Sequence, residues 1–266
     1  MANPPIAQAA LDRASEENLL LVYQPIHEAR TRAVYAAEAL LRQRRQSGEI
    51  REASIITAAA EAGPELFALD SWAVHRAYGD AAHWQSHGAP KVRLNVNLSP
   101  REFQEGNVLP RLQKLLGDCA IDPSKVNLEI TEVSHIGKPE ETMRVLTELK
   151  KVGLELWLDD FGTGYSTMTH LLRFPVDGLK IPGEFVRGVI DDHRAQSITR
   201  ALISLAHDLR MRVIAEGIEK QEQLDFLLQC GCDYIQGFLF SKPMPLEELE
   251  KLLGVGPVER RASRPQ

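Results

Sequence analysis

The chain has 266 residues, 44% of them hydrophobic and 26% charged, and carries a formal charge of −6. That length and apolar content suit either one barrel-sized core or two small ones. The acidic balance supplies no basic field, which argues against nucleic acid polymers and anionic membrane surfaces as partners.

The opening MANPPIAQAALDRASEE carries charges where a signal peptide needs an apolar run. No later stretch approaches the roughly 20 apolar residues of a membrane span, so a soluble, cytoplasmic chain is expected. Cys119, Cys230 and Cys232 are an odd set without a second ligand pair, and are read as inert reduced thiols.

Apolar and β-branched runs closed by turn residues predict strands near Leu19–Ile26, Val34–Leu41, Val92–Leu98, Val126–Thr131, Leu154–Leu158, Gly178–Ile181, Arg212–Ala215 and Tyr234–Phe238. From the second strand onward the gaps hold helical patterns, at Ile55–Ala62, Phe67–His87, Pro139–Val152, Ala195–Arg210 and Lys220–Gln229. Eight strands alternating with helices predict an α/β fold closed as a (β/α)8 barrel of the TIM type. The first gap, His27–Ala33, is too short for a crossover helix. The first two strands should therefore pair antiparallel, giving a modified barrel with one antiparallel strand. A last helix is expected around Glu247–Lys251, with this charge run on its solvated face and Leu246, Leu249 and Leu253 turned inward. Residues 1–18 are read as a lead-in, 19–254 as one barrel domain and 255–266 as a flexible tail.

Polar residues recur at the predicted carboxyl ends of the strands: Glu38, Asn97, Glu129, Asp159, Asp160, Lys180, Glu216 and Gln236. In a barrel these ends converge on one mouth, so residues spread over about two hundred positions become neighbours. Five carboxylates crowded into a small mouth raise one another's pKa or demand a cation. The donors are all oxygen, which favours a hard ion such as Mg²⁺ or Mn²⁺, and adjacent Asp159 and Asp160 suit a carboxylate bridging two ions. Such two-metal sites cleave phosphate esters. A single strand-end carboxylate is equally well read as a helix cap, but capping does not call for Glu at three separate strand ends. Asp159–Gly164 (DDFGTG) resembles a phosphate-cradling loop, and an ordinary strand-to-helix turn has the same appearance.

Glu38-Ala39-Leu40, followed by Leu41-Arg42, resembles the signature of the EAL domain family. In the family's order there follow Asn97-Leu98-Ser99, Glu129-Ile130-Thr131-Glu132, Asp159-Asp160-Phe161-Gly162-Thr163-Gly164-Tyr165-Ser166, Ala215-Glu216-Gly217-Ile218-Glu219 and Gln236-Gly237-Phe238-Leu239-Phe240, with Tyr23-Gln24-Pro25-Ile26 ahead of them. The resemblance implies a metal-dependent phosphodiesterase that hydrolyses cyclic di-GMP to linear pGpG with two divalent cations, Mg²⁺ or Mn²⁺. It implies that Glu38, Asn97, Glu129 and Asp159 bind one ion, that Asp159, Asp160 and Glu216 hold the second, and that Lys180 stands beside the attacking water. Glu219 resembles the glutamate that orders the loop after the paired aspartates, and Gln236 the glutamine near the metal-bound water. Gln24, Arg42 and Asp70 resemble residues that contact guanine and phosphate. Asp160–Ser166 matches the segment through which family members pair, which implies a homodimer.

Three departures stand out. The family's Lys-x-Asp is Lys180-Ile181-Pro182 here, its Arg-Trp after the signature is Arg42-Gln43, and a loop proline is replaced near Glu52. Proline neither ligates metal through its side chain nor accepts a proton. A second reading therefore stays open: a catalytically weak EAL domain serving as a cyclic di-GMP receptor or protein-interaction module.

Overall fold

A computed structural model of the chain describes residues 19–44, 47–52, 64–98, 108–131, 139–162 and 168–256. The expected lead-in, the helix at Ile55–Ala62, Ser99, Glu132, residues 163–166 of the glycine loop and the tail from residue 257 lie outside the described residues.

Strand β1 (Leu19–Glu28) and strand β2 (Val34–Arg44) pair antiparallel along their length, with Gln24 opposite Glu38. The short connection permits no other arrangement. Strand β2 continues past this ladder to pair with β3 (Ile50–Glu52), which lies outside the ring. Parallel pairing then runs from β2 through β4 (Arg93–Leu98), β5 (Val126–Thr131), β6 (Glu155–Asp159), β7 (Gly178–Ile181) and β8 (Arg212–Ala215) to β9 (Tyr234–Ile235). β9 pairs antiparallel with β1 and closes the ring. The barrel thus has eight strands, of which β1 alone opposes both neighbours, as the sequence predicts.

The outer layer contains α1 (Pro64–Ser86), α2 (Val108–Cys119), α3 (Pro139–Val152), α4 (Met168–Arg173), α5 (Gly183–Arg187), α6 (His193–Asp208), α7 (Gln221–Gln229) and α8 (Leu246–Leu253). None of them is long and apolar enough to cross a membrane. Helices α2, α4 and α5 were not expected. In α2 the buried residues Val108, Leu112 and Leu116 recur every fourth position, and Pro110 is tolerated because it falls in the first turn, where its missing N–H has no intrahelical partner. In α3 the first turn carries Glu140 and Glu141 and the last Lys150 and Lys151, matching the helix dipole. Lys150 Nζ reaches Asp177 Oδ1 at 2.5 Å, and Asp177 accepts from the Leu156 N–H at 2.8 Å, so α3 is tied to the β6–β7 edge.

Helix α8 corrects one expectation. Leu246 and Leu249 are buried as predicted, but Glu250, read as part of the solvated run, is buried too and sits 3.8 Å from His83 Nε2 on α1. Trp84 and Trp157 are fully buried, and none of the three cysteines forms a disulfide. Burial pushes the Cys232 thiol up to about 12, which keeps it protonated and unreactive.

The barrel interior is layered. At the closed end Arg93, Glu155 and Arg212 form an ion-paired group, and Tyr35 stacks on Tyr234 with ring centroids 3.8 Å apart. Above them Ile26, Ala36, Trp157 and Ile214 pack as a small apolar cluster. Trp157 has room only because its neighbour on β7 is Gly178, where an added Cβ would lie 2.3 Å from the indole. Above this layer lie the carboxyl ends of the parallel strands.

Candidate active site

At the open mouth, carboxylates from β2, β5 and β6 and from the residue that follows β8 meet one ammonium. Lys180 Nζ lies 2.8 Å from Glu216 Oε1, 2.9 Å from Glu129 Oε2, 3.3 Å from Asp159 Oδ1 and 3.6 Å from Glu38 Oε2. Lys180, Glu129 and Glu38 are buried; Asp159 and Glu216 are half-buried. Burial alone would drive the lysine neutral, but Asp159, Glu129, Glu216 and Glu38 overcome it and hold its pKa well above the ordinary lysine value.

The carboxylates diverge in response. Burial raises Glu38, but Lys180 and the donors Gln236 and Asn97 more than offset this and keep it below the usual glutamate value. Burial and the neighbouring Glu38 charge carry Glu129 well above it, despite Lys180. Burial pushes Glu216 up to about 7, and burial plus the adjacent Asp159 raises Asp160. Five carboxylates against one ammonium leave a site that holds protons at neutral pH unless another cation arrives.

This has a measurable consequence. The folded Glu216 binds a proton more tightly than a free glutamate, so its contribution favours folding at low pH and is lost as pH rises from the ordinary value of 4.5 through about 7. In chelator-treated protein, stability to urea is expected to fall across that window. With Mn²⁺ present the fall is expected to vanish, because the ion replaces the proton. Equal pH dependence with and without Mn²⁺ would contradict the assignment of Glu216 to a cation site.

The neutral side chains set orientation. Gln236 Nε2 donates to Glu38 Oε2 at 2.7 Å and lies 3.3 Å from Gln24 Oε1, and Gln24 Nε2 donates to the Ser241 carbonyl at 3.1 Å. Asn97 Nδ2 approaches Glu38 Oε1 at 3.3 Å. Asp160 adopts φ 50°, a left-handed conformation that aspartate tolerates better than most residues, and its N–H donates to Asp159 Oδ1 at 2.9 Å. Carboxylate oxygens of Asp159, Asp160 and Glu216 lie within 4.8 Å of one another.

The sequence-predicted residues are thus largely brought together: Glu38, Asn97, Glu129, Asp159, Asp160, Lys180, Glu216, Gln236 and Gln24 share one mouth. Asp70 lines a cavity of about 190 Å³ with Asn97 and Leu41 beside it. Arg42 stands further out, donating to the Leu41 carbonyl at 2.9 Å and lying 3.7 Å from Glu52 on β3. Glu219 is exposed; its backbone N–H donates to Gln223, and the loop it was expected to order lies outside the described residues. Pro182 is buried at the start of α5, and its carbonyl accepts from the Phe185 N–H at 3.1 Å.

Sequence reasoning missed Asn95 and Asn127, fully buried beneath Glu129. The signal was present: Arg93, Asn95 and Asn97 alternate with apolar residues in β4, as Asn127 and Glu129 do in β5, and alternation in a barrel strand marks the interior face. The predicted strand at Tyr234–Phe238 also ends early, at Ile235, since Gln236 and Gly237 turn onto the Ile218 backbone. A Cβ at Gly237 would fall 2.2 Å from the Ile218 carbonyl oxygen. Gly237→Ala is therefore expected to lower stability by about 1–3 kcal/mol and to displace Gln236. A urea midpoint equal to that of the parent chain would show that this contact yields freely.

The donor set suits a hard divalent cation: the carboxylates and amides offer only oxygen as ligand, and Gln236 Oε1 is buried with no hydrogen-bond partner among the described residues. Comparison with known proteins gives the family. NbdA of Pseudomonas aeruginosa, a cyclic di-GMP phosphodiesterase, is 32% identical over 238 residues, covering 90% of this chain and 30% of NbdA. The chain spans less than half the length of the curated relatives it matches. The PaMucR phosphodiesterase, solved in complex with c-di-GMP, superposes with a TM-score of 0.85 at 30% identity, covering 92% of this chain and 99% of that one. The Klebsiella pneumoniae protein BlrP1, solved with manganese and cyclic di-GMP, gives 0.75 at 29% identity over 86% of this chain and 57% of its own. The EAL domain model matches residues 7–243, and the chain belongs to the EAL domain family.

Proposed function

We propose that this domain hydrolyses cyclic di-GMP to linear pGpG in a reaction that depends on two Mg²⁺ or Mn²⁺ ions. The observation that carries the reading is the convergence of Glu38, Glu129, Asp159 and Glu216 on the buried Lys180 ammonium. Glu38, Asn97, Glu129 and Asp159 would hold one ion, and Asp159, Asp160 and Glu216 the other. Such ions, when bound, lower the pKa of a water and neutralise phosphoryl charge.

The chain's own residues do the rest. Lys180 carries the charge that orients the attacking water or a phosphoryl oxygen. Gln236, fixed by Glu38, offers its unpartnered Oε1 to the water's proton. Gln24 and Asp70 beside the mouth, with Arg42 beyond them, would contact guanine and phosphate, and Glu219 would support the loop after Asp160. Pairing of two copies through the segment after Asp160 belongs to the same reading, as does a single barrel domain over residues 19–254.

The test is incubation of purified protein with cyclic di-GMP and Mn²⁺, following pGpG by chromatography. Linear product that disappears with chelator is expected; tight nucleotide binding without product would establish a receptor instead. Pro182 is the observation that favours that second reading. Its φ of −59° and its position at the helix start also suit aspartate, a preferred N-cap, so Pro182→Asp is expected to fold. Under the phosphodiesterase reading this variant changes turnover by less than about tenfold, about 1.4 kcal/mol in the barrier. A larger gain would mark the native site as impaired.

A further inference from the structure

Through the centre of the barrel, a line of hydrogen bonds links the closed end to the mouth, with a side branch where Asn127 Nδ2 lies 3.4 Å from the Tyr35 hydroxyl, which accepts from Arg212 Nη1 at 3.2 Å. Arg93 Nη2 pairs with Glu155 Oε1 at 2.8 Å, and Arg93 Nε donates to Asn127 Oδ1 at 2.8 Å. Asn127 Nδ2 donates to Asn95 Oδ1 at 2.8 Å, and Asn95 Nδ2 donates to Glu129 Oε1 at 2.6 Å. Asn95, Asn127 and Glu129 are fully buried, so no water competes for these groups.

The direction of this line is not free. A buried amide taken alone presents oxygen or nitrogen with equal ease, but a guanidinium has donors only. Arg93 therefore compels Asn127 to present its oxygen, which leaves the Asn127 nitrogen to donate. Asn95 must then accept from below and donate from above, and Glu129 Oε1 must accept. With Oε1 held from beneath, Oε2 alone is left to face Lys180 at 2.9 Å.

We propose that Asn127 and Asn95 are positioning residues that transmit the donor polarity of Arg93 to Glu129, fixing which carboxylate oxygen faces the mouth. The metal part of this inference rests on the phosphodiesterase reading; the hydrogen-bond line itself does not.

Asn127→Asp tests the direction. A carboxylate still accepts from Arg93 but has nothing to donate, so Asn95 must turn its nitrogen downward and bring its oxygen against Glu129 Oε1. Asn127→Ala imposes no such reversal. A purely packing role would make alanine the worse substitution, since aspartate has nearly the shape of asparagine; transmitted polarity makes aspartate worse. In metal-free, ¹⁵N-labelled protein the Asn95 side-chain amide pair, identified by its loss in Asn95→Ala, is expected to shift more in Asn127→Asp than in Asn127→Ala. By calorimetry, the Kd for Mn²⁺ is expected to rise about tenfold in Asn127→Asp and in Asn95→Ala, the lower end of what second-layer substitutions do to metal sites. The double variant Asn95→Ala/Asn127→Asp is expected to match Asn95→Ala alone, because the effect of position 127 passes through Asn95.

An unmoved Asn95 amide pair in Asn127→Asp, or losses that multiply in the double variant, would overturn the proposal. If circular dichroism shows that Asn127→Asp does not fold, an unchanged Mn²⁺ Kd in Asn95→Ala overturns it independently. Parent protein that takes up no Mn²⁺ would sink the two-metal reading and leave the amide shifts to decide the line.

Discussion

Asp159→Asn is expected to lower cyclic di-GMP turnover by about two to three orders of magnitude, the scale on which loss of one electrostatic stabiliser acts, while leaving the fold intact. Two facts separate these effects. Asp159, like Glu216, belongs to both groupings at the mouth: its Oδ1 lies 3.3 Å from Lys180, and it is clustered with Asp160 and Glu216. Its charge also raises the pKa of Glu129, Asp160 and Glu216. Neutralising it relieves that repulsion, so the metal-free variant is expected to unfold at the same or a higher urea concentration than the parent. Chromatographic assay of pGpG and a denaturation curve measure both on the same sample. Turnover within tenfold of the parent would rule out the bridging role proposed for Asp159. Low turnover in a destabilised variant would mean the fold had been damaged instead.

The residues of this site were legible in the sequence for a physical reason. Glu38, Glu129, Asp159, Lys180 and Glu216 each end or interrupt an apolar run, and a barrel brings such positions to one face whatever their distance in sequence. The antiparallel β1 followed from the short His27–Ala33 connection by steric argument alone. What escaped was depth. Asn95 and Asn127 lie on the same interior rows as Asn97 and Glu129, one layer lower, and attention to strand ends passed over them. That Trp157 packs inside the barrel depends on Gly178 of the next strand, and single-strand patterns carry no pairing register.

The helices show the opposite limit. α2 lies outside the predicted helices although its apolar spacing is regular, and it accommodates Pro110 only because this residue falls in the first turn. Glu250 was placed in solvent by the charge run around it, yet it lies against α1 near His83. Arg42 shows how a residue matched by motif can be engaged elsewhere: its guanidinium lies 3.7 Å from Glu52. Ligand contact by Arg42 therefore competes with an ion pair to an exposed glutamate, of a kind worth about 1 kcal/mol or less.

Lys180 supports a prediction of opposite sign for stability and for metal affinity. Its ammonium touches four of the carboxylates proposed to hold cations, so in the metal-free protein it serves as the counter-charge, and on metal binding it would yield part of that role. Lys180→Met keeps the apolar stem and removes the charge, leaving Glu38, Glu129, Asp159 and Glu216 uncompensated. Breaking a buried ion pair from one side costs about 3–5 kcal/mol, so the metal-free variant is expected to melt well below the parent at neutral pH. The deficit is expected to shrink in acid, where the carboxylates take up protons. Mn²⁺, no longer competing with an ammonium, is expected to bind the variant more tightly than the parent and to raise its Tm by more. Turnover is nevertheless expected to fall by about 10²-fold or more under the proposed function, in which Lys180 stands beside the reacting water. Weaker Mn²⁺ binding in Lys180→Met would show that the lysine organises the ligands instead of competing for them, and undiminished turnover would place it outside the reaction.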